Sequence, residues 1–584
     1  VRRVWTAPLP RGSATRRLRI AFVLVVALLA AVALRLAGLQ TYWSDAYATD
    51  AVARRSVQVP LPAVRGSILD ATGAPLATTV DAADIIVNQQ EIDSPAATAL
   101  VLSEVLGRDP VMLQRKLTGE DPWEYLVRNV PARTAAQVRA FGLPGILFEP
   151  AANRDYPSGA VAGNLLGIVG TDDNALGGVE AQYDDVLAGR PGSSSYEQDA
   201  RGREMPFGER TRVDPVPGRD VRLTVDRDLQ YHAEQVLARQ VRASGAKGGS
   251  AVVMDTRTGA IRAIASVPVR DPRRPDALPD KRDWGLLPVE LVYEPGSVQK
   301  PLTVAAALDA GVVDLDDTFR VPDQLVRDGW SVRNFDRHDT LRLTPAGILA
   351  RSSNVGTVLL AERMSPEQLR ETLARFGYGQ TPGLGLGGEG ASKLPALTPQ
   401  EWSDFRHATI GYGQGLSTTA VGLASAYAAL GNDGVRPPAH VVAAVVDADG
   451  TEHPVVHGQG VRVVSQQAAR ETVAAMESVV GPEGTGRRVV VDGYRIAGKT
   501  GTAEVWSDRC QSYECRRNIV SFAGVAPAED PRLAVVVSLY EPVRGSTGSG
   551  TAGPVWADIT RAALLAEGVP PSTEPTPDLP VYAP

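Results

Sequence analysis

One serine and one lysine stand three residues apart in EPGSVQKPLT, residues 294–303. On a helical turn that spacing puts Ser297 and Lys300 on a shared face. A hydroxyl held beside a neutral amine is a nucleophile beside its base. The first-turn N–H groups of a helix lack partners, so negative charge developing there is stabilised. Pro301 fits such a turn, because a proline there removes no intrahelical bond. A plainer alternative is that Ser297 only caps the helix. The spacing S-x-x-K alone does not separate the two.

Two further motifs carry chemistry. ARSSNVG, residues 350–356, joins two helical runs, with Thr344 and Pro345 opening the first as cap and first residue. The turn between them leaves the Ser352 hydroxyl and the Asn354 amide free to point one way. KTGT, residues 499–502, reads as strand. There Lys499 brings a cation, Thr500 a hydroxyl, and Gly501 room for a substrate backbone to approach. A competing pattern overlaps it: residues 493–500 satisfy G-x-x-x-x-G-K-[ST], which would make the chain an NTPase. A phosphate loop must run into a helix. Here the middle is Tyr-Arg-Ile-Ala, which favours a strand, and GTAEVWSD after it has no helical face. GLGLGG, 383–388, satisfies G-x-G-x-x-G but is followed by EGASKLP, which has no helical period. Two cysteines cannot make a zinc site, and Pro454 separates His453 from His457. No metal and no cofactor is expected.

The elements that must position these residues follow from the chain's texture. A length of 584 residues implies two to four domains. The net charge of -7 argues against a nucleic-acid partner. Residues 1–17 form a basic tail, and IAFVLVVALLAAVAL carries no charge. Residues 18–39 span about 30 Å as a helix, enough for a transmembrane anchor. The Arg-rich flank places the N-terminus in the cytoplasm and the body outside. A cleaved signal peptide competes, but LRLAGLQTYW continues as an amphipathic helix without a small-residue cleavage site. Residues 40–215 mix short β runs, helices and Gly-Pro breaks, an irregular α+β region. From 216 to 568, early and late strands enclose a block of helices, with Asp226 a candidate N-cap. Residues 569–584 are Pro-rich and expected to be a disordered tail.

S-x-x-K, S-x-N and K-T-G occur in that order, each in a fitting local context, and together they resemble the signature of penicillin-binding proteins. RGSILDATGAPLA (65–77), RDYPSG and GGVEAQYDDVLAGRPG (within 154–192), LTVDRDLQ and GYGQGLSTTAVGLASAYAALGNDG (411–434) extend the likeness over most of the chain. It resembles a monofunctional, class B member, most like the division-specific septal transpeptidase of the FtsI type. The usual Asn-Arg-Ala ahead of the serine motif is replaced by PVELVYEPGS.

The resemblance implies an α+β multidomain fold: a membrane helix, a pedestal of the dimerisation type at 40–215, and a serine β-lactamase-like transpeptidase domain at 216–568 with an antiparallel sheet and flanking helices. It implies a D,D-transpeptidase that forms 4→3 peptidoglycan crosslinks from stem peptides ending in D-Ala-D-Ala and is blocked by β-lactams. Ser297 would be the nucleophile, Lys300 its base, and Ser352 the proton relay. Asn354 would hold the donor amide, and Thr500 and Thr502 with Lys499 would hold the terminal carboxylate. The N–H groups of Ser297 and Thr502 would form the oxyanion hole. A SEDS-family lipid-II polymerase and other divisome membrane proteins are the implied partners. Cell-wall elongation, or a non-catalytic scaffold or β-lactam sensor, are the alternative roles. The E-x-x-L-N of class A β-lactamases does not occur. Cys510 and Cys515 flank QSYE, and outside the cytoplasm such a pair is a candidate disulfide closing a short loop next to the KTGT strand.

Overall fold

The computed structural model describes residues 13–44, 55–170, 174–197, 205–208, 210–274, 285–504, 518–545 and 547–583. Cys510 and Cys515 lie outside the described residues. The chain forms two compact units. One comprises Val1–Ala63 with Arg190–Val216, the other Val64–Gly189 with Pro217–Pro584. The stretch expected as one pedestal is therefore divided between them.

In the first unit, helix α1 (Ala14–Gln40) is apolar, with a mean hydropathy of 2.7 over an 18-residue stretch, and buries none of its residues. Its length of 27 residues exceeds the expected 18–39 because the Arg-bearing flank is helical too. The rest of the unit is a three-stranded antiparallel sheet built from Ser56–Leu61, Gly192–Glu197 and Arg210–Val213.

In the second unit, residues 64–189 contribute a long strand, Pro75–Val87, paired on its two sides with Glu124–Pro131 and Ile146–Asp155. The sheet continues through Ile68–Leu69 to Asp220–Leu223 and Val442–Val446, so pedestal and later segments share one ladder. A buried ion cluster ties this region: Glu180 accepts from Arg65 at 2.8 Å and from Arg154 at 2.7 Å. Both arginines belong to the RGSILDATGAPLA and RDYPSG stretches read above.

The second sheet is the one that matters for chemistry. Its five strands, in chain order, are β1 (Gly248–Asp255), β2 (Ile261–Val267), β3 (Ala497–Glu504), β4 (Asn518–Ala526) and β5 (Leu533–Tyr540). They lie in the order β2-β1-β5-β4-β3, all neighbours antiparallel. Alternate side chains go to opposite faces of a strand, and here each face has its own core. Val252, Met254 and Val536 join the helical block, whereas Ala251, Val253 and Val537 pack with Leu237 and Trp556 on the other side. Burial on both faces explains why β1 and β5 read as nearly unbroken apolar runs.

Helices cover the faces. α2 (Arg227–Ser244) starts where expected, with Asp226 accepting from the N–H groups of Asp228 and Leu229. The block that carries the motifs consists of α3 (Lys300–Asp309), α4 (Pro345–Ala350), α5 (Asn354–Ala361) and α6 (Gln466–Val480), and α7 (Gly553–Ala566) packs on the opposite face.

The expectation of a disordered tail at 569–584 is corrected. The Ser572 N–H donates to the Gly493 carbonyl, Ala583 N–H donates to Arg342 O, and the Thr344 hydroxyl donates to Pro580 O at 2.5 Å. Composition misled because prolines remove donors and keep the chain extended. The carbonyls that remain find partners on the start of α4.

Candidate active site

Ser297 does not cap α3. It lies inside a single 3-10 turn, Gly296–Gln299, that precedes the helix, and the residue at the helix cap is Gln299. Gly296 has φ +59, and a Cβ there would stand 3.1 Å from the Thr502 carbonyl. The nucleophile candidate is thus seated directly against the KTGT strand. Tyr427 holds the turn from behind, donating its hydroxyl to the Val298 carbonyl at 2.7 Å.

Lys300 is fully buried, and its Nζ donates to Ser352 O at 2.6 Å, Asn354 Oδ1 at 2.8 Å and Ser352 Oγ at 3.2 Å. The second lysine, Lys499, is equally buried and donates to Ser352 Oγ at 2.9 Å, Thr500 O at 3.0 Å and Thr500 Oγ1 at 3.2 Å. The Ser352 hydroxyl therefore sits between two amines. Burial holds Lys300 well below the ordinary lysine range, and the charge of Lys499 pushes the same way. Burial brings Lys499 down to about 7. Desolvation disfavours the charged form, so an amine at the base of this cleft becomes available to take a proton near neutral pH.

The S-x-N turn is shaped for this contact. Ser352 is left-handed at φ +53, a costly conformation for a residue with a side chain, and one that clusters at functional sites. It aims both its carbonyl and its hydroxyl at Lys300. Ser353 caps α5, accepting from the Gly356 N–H at 2.8 Å. Its own hydroxyl donates to Asn334 Oδ1, which also accepts from the Val355 N–H.

The KTGT strand, β3, is the edge of its sheet and pairs on one side with β4, Lys499 opposite Ala523 and Thr502 opposite Val520. An edge strand offers free backbone groups for an added strand. Thr502 is exposed and Thr500 nearly buried. The reading of Gly501 is corrected. A Cβ there would lie 2.2 Å from Ser521 Oγ and 2.9 Å from Val298 Cγ1. The missing side chain makes room for the wall of the site itself, not for a substrate.

Ser297, Lys300, Ser352, Asn354 and the KTGT residues, spread over more than 200 positions of sequence, are thus brought to one cleft. Sequence reasoning missed Asn334 and Thr485. Thr485 Oγ1 lies 3.0 Å from Thr500 Oγ1, and its N–H donates to Ala350 O. The glycines around it in GPEGTGRR were the available signal for a close backbone approach. The phosphate-loop pattern fails on geometry: residues 497–504 are strand, and Lys499 is turned into the cleft.

Comparison with known proteins decides the lineage. Residues 249–561 match the penicillin-binding protein transpeptidase domain, and residues 60–223 match the penicillin-binding protein dimerisation domain. The chain belongs to the class B penicillin-binding proteins. This penicillin-binding protein is 33% identical to penicillin-binding protein PbpB of Mycolicibacterium smegmatis, over 98% of this chain and 96% of that protein. It is also 33% identical to the peptidoglycan D,D-transpeptidase FtsI of Escherichia coli K12, over 88% of this chain and 85% of that one. Among solved structures, a peptidoglycan synthetase from Bifidobacterium adolescentis superposes with a TM-score of 0.72 at 31% identity, covering 90% of this chain and all of that one. Penicillin-binding protein 3 of Mycobacterium tuberculosis, complexed with aztreonam, gives 0.70 at 29% identity with the same coverage. The penicillin-binding protein is a peptidoglycan D,D-transpeptidase, and among the described residues one apolar helix, at the N-terminal side, is long enough to cross a membrane.

Proposed function

We propose that this penicillin-binding protein crosslinks peptidoglycan at the division septum through an acyl-enzyme on Ser297. Ser297 Oγ attacks the penultimate carbonyl of a stem peptide ending in D-Ala-D-Ala, and neutral Lys300 accepts its proton. The tetrahedral oxyanion is held by the N–H groups of Ser297 and Thr502. The C–N bond breaks, and the proton returns through Ser352 to the departing D-Ala amine. An amine from a neighbouring stem then attacks the ester, which gives the 4→3 crosslink and restores Ser297. The donor lies as an added strand along β3. Lys499, Thr500 and Thr502 take its terminal carboxylate. Asn354 keeps the donor-amide role through what its bonds to Lys300 and to the Arg333 carbonyl leave free.

The observation that carries this reading is the Ser352 hydroxyl suspended between two buried lysines, both displaced toward the neutral amine. Likeness to FtsI and to PbpB supports the division role. The mycobacterial penicillin-binding protein 3 has been solved with aztreonam, and β-lactams are the proposed inhibitors here. The Arg-bearing end of α1 faces the cytoplasm, and the transpeptidase domain acts outside it. A lipid-II polymerase of the SEDS family and other division membrane proteins are the proposed partners.

The test is reconstitution. The full chain with a lipid-II polymerase, supplied with lipid II, should release D-Ala and give crosslinked muropeptide dimers that a penicillin abolishes. Glycan strands without dimers under those conditions would leave a scaffold in place of an enzyme.

A further inference from the structure

α6 ends at Val480, and the chain then doubles back on it. A Cβ on Gly484 would stand 1.9 Å from the Val479 carbonyl, and the Gly486 N–H donates to that same carbonyl at 2.8 Å. The tight return leaves Thr485 outside, between two motifs. Its N–H donates to Ala350 O at 3.0 Å, two residues ahead of Ser352. Its hydroxyl meets the Thr500 hydroxyl at 3.0 Å. No other described residue bonds both the S-x-N segment and a KTGT hydroxyl through groups outside the three motifs.

A threonine hydroxyl has two lone pairs and one proton. On Thr500, Lys499 Nζ occupies one lone pair at 3.2 Å. If Thr485 donates into the second, the Thr500 proton is left without an acceptor among the described residues and can be given to a bound substrate. We propose that Thr485 is a positioning residue for the acyl donor: it fixes the Thr500 hydroxyl as a donor to the anionic C-terminal end of that substrate. Its second bond, to Ala350, keeps this hydroxyl in register with the S-x-N turn. Without Thr485 the Thr500 hydroxyl keeps only its bond from Lys499, and its proton loses a fixed direction. The effect belongs to recognition of a terminal carboxylate and not to the breaking of the acyl bond. This inference rests on the reading of the site as an acyl-transfer cleft.

The experiment uses the full chain and two synthetic donors, an N-acyl-D-alanyl thioglycolate with a free carboxylate and its methyl ester, both followed by thiol release. Thr485→Val keeps the shape and removes the hydroxyl; Thr485→Ser keeps the hydroxyl. With the carboxylate donor, the valine variant should lose about 10-fold in kcat/KM, mostly in KM, the size expected for a hydrogen bond to a charged group. With the ester the loss should stay within about 2-fold, and the serine variant should match the parent on both donors. Equal losses on the two donors, or a serine variant as poor as valine, would make Thr485 merely structural and overturn the proposal. So would no loss at all. If the valine variant does not fold, Thr485→Ala against Thr485→Ser gives the same contrast. Failure of the parent protein to release thiol from either donor would count against the acyl-transfer reading itself, and so is told apart.

Discussion

At the residue scale, two buried lysines meet one serine hydroxyl. Lys300 and Lys499 both reach Ser352 Oγ, and each loses proton affinity because it is buried. The lowered Lys300 owes part of its shift to the charge on Lys499. Below about 7 Lys499 is charged, and its charge lowers the proton affinity of Lys300. Removing that charge raises the Lys300 pKa. Lys499→Gln should therefore slow acylation by a fluorescent penicillin and also move the acid limb of its pH profile to higher pH. Stopped-flow acylation rates between pH 5 and 9 check this; a limb that stays put would mean that the two amines are not coupled. The motif residues were legible because each motif is short and sits in a local context that sequence reports. The bond from Lys300 to Asn354 was not, since it depends on how α3 and α5 meet across 54 positions of sequence. Thr485 was hidden for the same reason.

At the scale of elements, the S-x-N turn depends on α4, and α4 depends on the C-terminal segment. Thr344 accepts from the Gly347 N–H as the helix cap and gives its own proton to Pro580 O. A Cβ on Gly347 would fall 1.9 Å from the Val581 carbonyl, so the segment lies flat on the helix because residue 347 has no side chain. Gly347→Ala should displace residues 580–583, as deleting 579–584 removes them. Each change should cost about 1–3 kcal/mol, the range of an overpacked contact or of two or three lost hydrogen bonds. Both changes delete one contact, so the double variant should be no less stable than the deletion alone. Urea unfolding of the four proteins gives the cycle; additive losses would mean that the two sites are independent. Helix positions here were readable from period and caps, as at Asp226 and Thr344. The tail was not, because a Pro-rich composition reports the lack of donors and says nothing of donors elsewhere, such as Thr344, that its carbonyls can meet.

At the scale of the whole molecule, an apolar N-terminal helix long enough to cross a membrane precedes the transpeptidase domain, which we propose acts outside the cytoplasm. With α1 retained and its Arg-rich end inside, alkaline phosphatase fused after Pro584 should be active and β-galactosidase fused there inactive. The reverse pattern would invert the topology, and a mature N-terminus beyond residue 34 would replace the anchor with a cleaved leader. The order of domains could be read from the sequence, whereas the division of 40–215 between two compact units could not. That division depends on Arg190–Val216 returning to pair with Ser56–Leu61, a contact of long separation.

The claim on which all of this stands is that Ser297 carries the acyl group. Intact-mass spectrometry of the purified full chain after exposure to benzylpenicillin tests it directly. The parent protein should gain one penicilloyl mass, peptide mapping should place it on Ser297, and Ser297→Ala, folded to the same melting temperature, should gain none. A stoichiometric adduct on the alanine variant would contradict the assignment.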